Sequence, residues 1–218
     1  SGGGSSSNQR PEYSTVSIQD ELLLTCSPDN FASWAMEWPA QVALNAAQIF
    51  WTSQVESALS IQSGGETFIT DGGPHQPHPH HHHTLSDLVT YANGQLRGLV
   101  LRIRGELTEL SRITIGAILT KFVYQRDVVA QLSANKVHST SDFQWLSQLR
   151  YYWEASPHQP GNPNAIHRKK RHEVSARMMA ATLGYDLEYL GASTRLVITP
   201  LTDRCYRTLV TAVHMVLG

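Results

Sequence analysis

The 218-residue sequence is poor in cysteine and in charged residues, and both shortages limit what it can be. Its two cysteines, Cys26 and Cys205, lie far apart, so the chain has neither a disulfide framework nor a CxxC metal-binding motif. This usage fits a reducing, intracellular setting. Charged residues make up only 16% of the chain, and the formal net charge is -1. Charge therefore gives no reason to expect a nucleic-acid or membrane partner.

Long apolar runs and the common catalytic motifs are also missing. No uninterrupted apolar stretch reaches the ~18 residues that a membrane span needs, and the initial SGGGSSS is not typical of a signal peptide. The sequence has no GxxxxGK[ST] phosphate-binding loop and no GxGxxG, HExxH or GxSxG motif. Cys205 lies at an expected helix start, where a thiolate can be stabilised, but a small buried thiol is the favoured interpretation. We therefore assign no catalytic residue.

Histidine, in contrast, is abundant, and six of the eleven histidines lie between His75 and His83. Imidazole suits zinc, copper and nickel, but a structural zinc site needs ligands held by packed elements and by supporting hydrogen bonds. The flanking glycines and prolines supply neither, so the run is interpreted as low complexity and no metal ligand is assigned. The basic cluster Arg168–Arg171 is interpreted as a solvated loop rather than a phosphate-binding site.

Hydrophobic periodicity predicts a chain that is mainly α-helical. In Pro39–Leu59 a proline suited to a first helical turn precedes apolar residues at roughly helical spacing. The strongest pattern begins at a variant capping box, Thr84–Asp87, and predicts a helix that ends near Glu109. Another helix is expected over Arg112–Asn135. The short link between these two helices predicts an antiparallel αα-hairpin.

The pattern changes towards the C-terminus. The aromatic-rich string DFQWLSQLRYYWE is expected to be helical through Trp153. Alternation over Val174–Ala180 is typical of a strand, and Tyr185–Leu190 and Leu196–Thr199 are predicted as further strands. Thr202 is then expected to cap a C-terminal helix. We expect that helix to pack against parts outside this chain, which leaves apolar residues partly exposed: Tyr206, Leu209 and Val213.

Polar, glycine- and proline-rich stretches divide the chain. Residues 1–15 are expected to be a flexible lead-in. Residues 60–83 and 155–172 are expected to be insertions, because loops of this length are uncommon inside a compact domain. Core packing is expected for the five tryptophans, which are Trp34, Trp38, Trp51, Trp145 and Trp153.

Several strings in this sequence resemble the dynein heavy chain. FQWLSQLRYYWE (Phe143–Glu154), YDLEYLG (Tyr185–Gly191) and RLVITPLTDRCYRTL (Arg195–Leu209) are similar to the stretch where the linker domain runs into the first AAA+ module. Trp38–Leu59 and Arg112–Val129 resemble earlier helices of the same linker. The first string is more similar to axonemal, inner-arm-like heavy chains than to cytoplasmic dynein. The resemblance covers most of the chain outside the two expected insertions.

This resemblance implies a domain order and a fold. Residues 16–190 correspond to the C-terminal linker region, and residues 191–218 to the beginning of the first AAA+ module, truncated before its phosphate-binding loop. The expected fold is mainly α: an antiparallel helical linker-type bundle, followed by a small β element and the first helix of a truncated AAA+ module. Ala192 and Thr194 depart from the family, which usually has Asn and often Pro after this YEYLG-like string.

The resemblance also implies a nucleotide contact. In such motors the segment before the first AAA+ helix passes beside the adenine of ATP. Its extended backbone can offer amide and carbonyl groups to the base, and its apolar side chains can pack on the base. Here that segment is Val197, Ile198, Thr199, Pro200, Leu201 and Thr202. The residues alone favour an ordinary edge strand and an N-capped helix; the family resemblance favours adenine contact.

Two functions of different classes remain open. In the first, the chain is a fragment of an ATP-driven microtubule motor and contributes the mechanical linker and the adenine-side edge of the first ATP site. In the alternative, it is a free-standing helical protein-interaction module without an ATPase role. Nothing in this sequence can cradle the β- and γ-phosphates or hold magnesium, so we expect no ATP hydrolysis and no tight ATP binding by the chain alone.

For the motor function, the resemblance implies partners that belong to the full-length parent. These are Mg-dependent ATP, the remainder of the motor ring, dynein intermediate and light chains, and microtubules. The implied location is cytoplasmic and cytoskeletal, in the axoneme of a cilium or flagellum. No nucleic acid and no membrane is expected among the partners.

Overall fold

A computed structural model of the chain describes residues 28–64, 84–155, 172–185, 188–191 and 197–216. The described ranges form six helices and three strands, and the fold is mainly α, as predicted. The helices are α1 (Pro28–Glu37), α2 (Ala40–Gln62), α3 (Leu85–Arg104), α4 (Glu109–Ala134), α5 (Phe143–Leu146) and α6 (Pro200–His214). The strands are β1 (Arg150–Ala155), β2 (His172–Met178) and β3 (Ala181–Gly184). Within these ranges, no helix combines the length and apolar character that a membrane crossing requires.

Helices α3 and α4 form the predicted antiparallel hairpin. Near the link, Arg112 Nη1 donates to the Ile103 carbonyl at 2.7 Å, and farther along, Arg126 Nη1 donates to Asn93 Oδ1 at 3.1 Å. The prediction that the first helix reaches Glu109 was wrong, since α3 ends at Arg104. Thr108 ends the link, because its side chain accepts a hydrogen bond from Ser111 N and caps α4.

The helices enclose two apolar clusters that a layer of buried glutamines separates. The first cluster joins α1 to one end of α2, α3 and α4, and includes the Phe31–Phe122 ring pair. The second lies at the other end and includes the Trp51–Trp145 pair, with ring centroids 5.4 Å apart. On each of the three long helices, a buried glutamine lies where the first cluster gives way to the second: Gln48, Gln95 and Gln125.

Three of the five tryptophans are buried in this core, and two are only half-buried. Trp34, Trp51 and Trp145 are buried, as expected, whereas Trp38 and Trp153 are half-buried. Trp145 is fully buried although it follows the bundle in sequence. The short helix α5 therefore anchors the β element to the second apolar cluster.

The aromatic-rich string is helical over only four residues, so the prediction of a helix through Trp153 was wrong. After α5 the chain extends into β1, which pairs antiparallel with β2. Tyr and Trp are enriched in strands, where their side chains pack well on a half-buried sheet surface. At the edge of β1 that does not pair with β2, one backbone amide binds α2, since Tyr151 N donates to Thr52 Oγ1 at 3.1 Å. This hydrogen bond links the sheet directly to the helical bundle.

Strand order in the sheet is β1-β2-β3, and both pairings are antiparallel. The strand predicted over Val174–Ala180 is confirmed as β2, two residues earlier at its start and end. The strand predicted over Tyr185–Leu190 was wrong in its described part, since residues 185 and 188–190 are not in a strand. The strand predicted over Leu196–Thr199 was also wrong in its described part, since residues 197–199 are not in a strand.

Several predictions fall outside the described residues. They are the lead-in at 1–15, the histidine run and the basic cluster Arg168–Arg171. Helix α2 continues to Gln62, so the predicted break at residue 60 begins too early. Residues 155 and 172 close β1 and open β2, and the residues between them lie outside the described part.

Candidate functional site

The six residues predicted to contact a nucleotide lie where the chain enters α6. Thr199 has an extended backbone, with φ -109° and ψ 165°, and is the N-cap of α6. Its hydroxyl accepts from Thr202 N at 3.3 Å, and Thr199 N donates to the Thr202 hydroxyl at 2.7 Å. The two threonines thus form a capping box. The prediction that Thr202 is the cap was wrong by three residues, because Thr202 is the reciprocal partner of the cap.

Apolar side chains in this segment face solvent. Val197 is 68% exposed and Leu201 is 71% exposed, whereas Ile198 is half-buried. Pro200 occupies the first helical turn, where its missing N–H costs nothing. The segment therefore presents an extended backbone and two uncovered apolar side chains beside a capped helix start. This is the chemistry that a flat aromatic base can use.

Helix α6 continues this exposed surface towards its C-terminal end. Leu209 is 61% exposed and Val213 is 62% exposed, and Tyr206 is 37% exposed, as the sequence predicted. Leu201, Leu209 and Val213 follow one another at multiples of four residues, so they lie on one helix face. Cys205 lies in the same row and is exposed, so the interpretation of it as a buried thiol was wrong.

A single buried glutamine holds the chain just before this segment. Gln41, in the first turn of α2, is 8% exposed. Its Nε2 donates to the Glu188 carbonyl at 2.7 Å and to the Tyr185 hydroxyl at 3.0 Å. Its Oε1 accepts from Leu190 N at 2.6 Å and from Gly191 N at 3.1 Å. These bonds explain why residues 188–191 do not form the predicted strand.

A tyrosine of α4 contacts the first turn of α6, directly after the six-residue segment. The Tyr124 hydroxyl lies 2.8 Å from Gln148 Oε1 and 3.3 Å from Asp203 Oδ1. Burial and, secondarily, the Asp203 carboxylate raise the pKa of the Tyr124 phenol well above its usual value, because both disfavour the phenolate. Asp203 also lies 4.0 Å from Arg207, one turn farther along α6. Tyr124 therefore contacts α6 through a protonated hydroxyl.

The sheet under this region is fixed to α2 by a polar group around Glu56. Glu56 Oε1 accepts from Tyr152 OH at 2.6 Å and from Trp145 Nε1 at 3.2 Å. The buried Arg150 guanidinium lies 4.0 Å from the same oxygen and donates to Tyr152 OH at 3.0 Å. Burial, followed by the Glu56 hydrogen bond, raises the pKa of the Tyr152 phenol well above its usual value. One carboxylate thus joins α2, α5 and β1.

Sequence reasoning missed Gln41 and Tyr124 as contacts of the candidate site. A usable signal exists for Gln41, because Gln41, Leu44, Gln48 and Trp51 follow helical spacing and share the buried stripe of α2. A glutamine in such a stripe needs partners, so it marks a polar contact inside the protein. Tyr124 carries no comparable signal, since its partner lies 79 positions away.

No metal-binding or catalytic constellation accompanies the segment. In the ranges that the structure describes, there is no group of three or more His, Cys, Asp or Glu able to hold a metal ion. The chemistry available in the candidate site is that of backbone amides and carbonyls, hydroxyls and apolar side chains. Such groups can bind and orient a ligand.

Comparison with known proteins adds a family to this geometry. A family model described as the hydrolytic ATP binding site of dynein motor region matches residues 185–218. The match begins at Tyr185, one of the partners of Gln41, and includes the capping box and all of α6. All six residues that were predicted to contact a nucleotide lie inside it.

Similar proteins match a much longer part of the chain. The human dynein axonemal heavy chain 3 (Homo sapiens) is 38% identical over 185 residues, which are 85% of this chain and 4% of the relative. Dynein axonemal heavy chain 12 of Mus musculus is 40% identical over 185 residues, 85% of this chain and 5% of the relative. Dynein axonemal heavy chain 1 of Homo sapiens is 36% identical, again over 85% of this chain and 4% of the relative.

The chain therefore spans only about one twentieth of the length of these relatives. Both comparisons agree with the strings that resemble dynein, from the bundle to α6. The chain is a homologue of the axonemal dynein heavy chains over one short segment of their length, and its last part matches the ATP-binding region of the dynein motor.

Proposed function

We propose that this chain supplies the C-terminal part of the linker domain and the adenine-side edge of the first ATP site of an axonemal dynein motor. The observation that carries the proposal is the position of the matched ATP-binding region. Residues 185–218 match that region, and the structure holds its beginning on a helical bundle through Gln41. A mechanical element and a nucleotide-site edge thus occur in one folded unit. Residues 16–190 are assigned to the linker and residues 191–218 to the first AAA+ module.

The exposed residues at the start of α6 support the nucleotide role. Val197 and Leu201 are largely solvent-exposed, and Thr199 between them is extended. An adenine ring placed against them would cover apolar surface that the described part of the chain leaves open. Bound ATP brings the phosphoryl chemistry, with magnesium held by residues outside this chain. The role of this segment is to bind and orient the base.

The bundle supports the mechanical role. Helices α3 and α4 contain 20 and 26 residues, which corresponds to lengths of about 30 Å and about 39 Å. Their antiparallel packing and the two apolar clusters resist bending, because close-packed cores transmit strain. A stiff element connected to a nucleotide site is what a lever requires.

The proposed parent protein determines the partners. It would hydrolyse Mg-dependent ATP, contain the rest of the motor ring, bind microtubules and dynein intermediate and light chains, and reside in a ciliary or flagellar axoneme. The alternative, a free-standing helical interaction module, differs in requiring no nucleotide contact at Val197–Thr202. The two functions are therefore separated by one measurement at that segment.

That measurement uses a chimeric motor. The aligned 185-residue segment of this chain replaces the corresponding segment in the motor domain of a matched relative, and ATP hydrolysis and microtubule gliding are recorded. We expect both activities to be retained. Leu201→Asp should then weaken binding of a fluorescent ATP analogue about tenfold, because it replaces an apolar contact to the base with a charge that must lose its hydration.

Leu110→Asp is the matched control, since Leu110 is 70% exposed but lies at the start of α4. We expect it to leave nucleotide binding unchanged. A chimera that folds and binds microtubules but has lost ATP binding would contradict the proposal. So would equal nucleotide affinity in the Leu201→Asp and Leu110→Asp variants.

A further inference from the structure

Two side chains of the helical bundle contact the chain on either side of the nucleotide-edge segment Val197–Thr202. Gln41 of α2 binds the backbone at residues 188–191, and Tyr124 of α4 lies within hydrogen-bond distance of Asp203. Both come from helices far away in sequence, 144 or more positions for the Gln41 contacts and 79 for Tyr124. The bundle therefore contacts the chain at Gly191, before the segment, and at Asp203, directly after it.

The Gln41 contact uses the whole hydrogen-bonding capacity of the side-chain amide. A carboxamide has two N–H donors and two acceptor positions on its oxygen, and all four are occupied here. The orientation of the amide is fixed by chemistry, because backbone N–H groups can only donate and a backbone carbonyl can only accept. Any shift of this part of α2 must either move Tyr185 and residues 188–191 with it or break four hydrogen bonds.

Gly191 adds a conformational reason for this contact. Its φ is +67°, a left-handed conformation that glycine adopts without the penalty of a side chain. The Gln41 oxygen binds the amides of Leu190 and Gly191, so it stabilises the turn from which the chain leaves the bundle. The backbone at Leu190 and Gly191 is thus linked to the first turn of α2.

The Tyr124 contact acts at the other end and has a different character. A phenol has one proton, and two acceptors lie within reach of it, Gln148 Oε1 at 2.8 Å and Asp203 Oδ1 at 3.3 Å. Asp203 is in the first turn of α6, next to the capping-box residue Thr202. Tyr124 therefore contacts the helix start itself, and it shares its proton with Gln148, which leads into β1.

We infer that Gln41 and Tyr124 are positioning residues that hold the nucleotide-edge segment in its binding shape, so that loss of either contact lowers ATP affinity. The inference rests on the proposed function, but its first step is structural and independent of ATP. The Gln41 contact constrains the chain at residues 188–191, before the segment, and the Tyr124 contact constrains it at Asp203, directly after the segment. Loss of either should loosen the segment, and loss of both should add little more, because the two ends act on the same shape.

The first experiment is amide hydrogen exchange on the whole 218-residue chain without nucleotide. Gln41→Met keeps a long unbranched side chain and removes all four bonds. We expect exchange of the Leu190 and Gly191 amides to become about tenfold faster. Gln48→Met is the matched control, because Gln48 is also buried on α2 and is not hydrogen-bonded to residues 188–191 in the described structure.

Unchanged exchange at Leu190 and Gly191 in Gln41→Met would overturn the inference at this step. Faster exchange throughout the bundle would do so as well, because Gln41 would then have a general structural role. If Gln41→Met does not fold, Tyr124→Phe tests the other contact, since it removes only a hydroxyl. Its expected effect is faster exchange in the first turn of α6.

The second experiment measures ATP binding in the chimeric motor. Gln41→Met and Tyr124→Phe should each weaken binding of the ATP analogue about tenfold, and the double variant should weaken it by much less than a hundredfold. Tyr152→Phe is the control for Tyr124→Phe, because its hydroxyl is also buried but binds Glu56. We expect KM for ATP to rise more than kcat falls, since both residues act on positioning of the base.

The two experiments separate failure of the inference from failure of the proposed function. If the unaltered chimera does not bind ATP, the proposed function fails, whatever the exchange data show. If the unaltered chimera binds ATP and the Gln41 and Tyr124 variants bind it equally well, the inference alone is overturned. Equal loss in Tyr152→Phe and Tyr124→Phe would also overturn it, because the effect would then be general.

Discussion

Replacement of Glu56 gives the sharpest test of how the sheet is joined to the bundle. In Glu56→Ala, Trp145 Nε1 and Tyr152 OH lose their shared acceptor, and Arg150 loses its nearest carboxylate. Trp145 is fully buried and Arg150 is 6% exposed, so water cannot easily replace the lost partner. A hydrogen bond to a charged acceptor contributes about 1.5–3 kcal/mol when buried.

The expected magnitude is lower than the sum of these terms. The Glu56 side chain is 30% exposed, and its distance to Arg150 is 4.0 Å, so the ion pair itself contributes little. We expect Glu56→Ala to reduce the free energy of unfolding by about 2–4 kcal/mol. For a chain of this size that corresponds to a fall in Tm of roughly 4–16 °C. Glu56→Gln keeps an acceptor oxygen and should cost only about 1 kcal/mol.

Urea denaturation followed by far-UV circular dichroism measures these differences. Glu106→Ala, at an exposed position, is the control and should change stability by less than about 0.5 kcal/mol. The reasoning is refuted if Glu56→Ala lies within about 0.5 kcal/mol of the wild type. It is also refuted if Glu56→Gln is as unstable as Glu56→Ala, because the acceptor oxygen would then have no effect.

Three further predictions concern the buried polar groups and one turn. Gln125→Met should stabilise the chain by about 1–2 kcal/mol in thermal denaturation, because Gln125 Nε2 is buried without a partner in the described structure. A loss of stability would contradict this and would indicate that a water in the adjoining cavity binds the amide. Stability should fall as pH rises above about 10, because burial raises the pKa of Tyr124 and Tyr152 in the folded state and the unfolded chain therefore loses these protons at lower pH. Urea midpoints measured from pH 8 to 11 should fall less steeply with pH in Tyr152→Phe than in the unaltered chain. Gly191→Ala should cost about 1–2 kcal/mol, because φ is +67° there while the nearest atom to an added Cβ is 3.9 Å away; an unchanged urea midpoint would contradict this.

The long helices could be predicted from sequence because their signal is local and repeated. Apolar spacing located α2, α3 and α4 to within about five residues, and Thr84 marked the start of α3. Helix α1 carries similar spacing at Phe31, Trp34 and Ala35 and was not predicted, since it follows a stretch without periodicity. Local pattern is therefore sufficient for the bundle when enough turns share one face.

The β element was harder to predict because its pairing partners are distant in sequence. The string after Asp142 contains leucine, glutamine and aromatic residues that suit a helix as well as a strand. Its extension as β1 depends on β2, which begins at His172, and on Thr52 at its free edge. Neither contact leaves a mark in the string itself, so tertiary context decides its conformation.

Buried glutamines lie at two kinds of boundary in this fold, between the apolar clusters and between the bundle and the candidate site. Gln48, Gln95 and Gln125 lie between the two apolar clusters, and Gln41 lies where the bundle meets the candidate site. An apolar side chain at position 41 would bury more surface but would leave two backbone amides and a carbonyl of residues 188–191 without partners. A polar residue in the apolar stripe of α2 therefore has a specific reason at this position. That reason is the hydrogen bonding of residues 188–191, which lie inside the stretch that matches the dynein ATP-binding region.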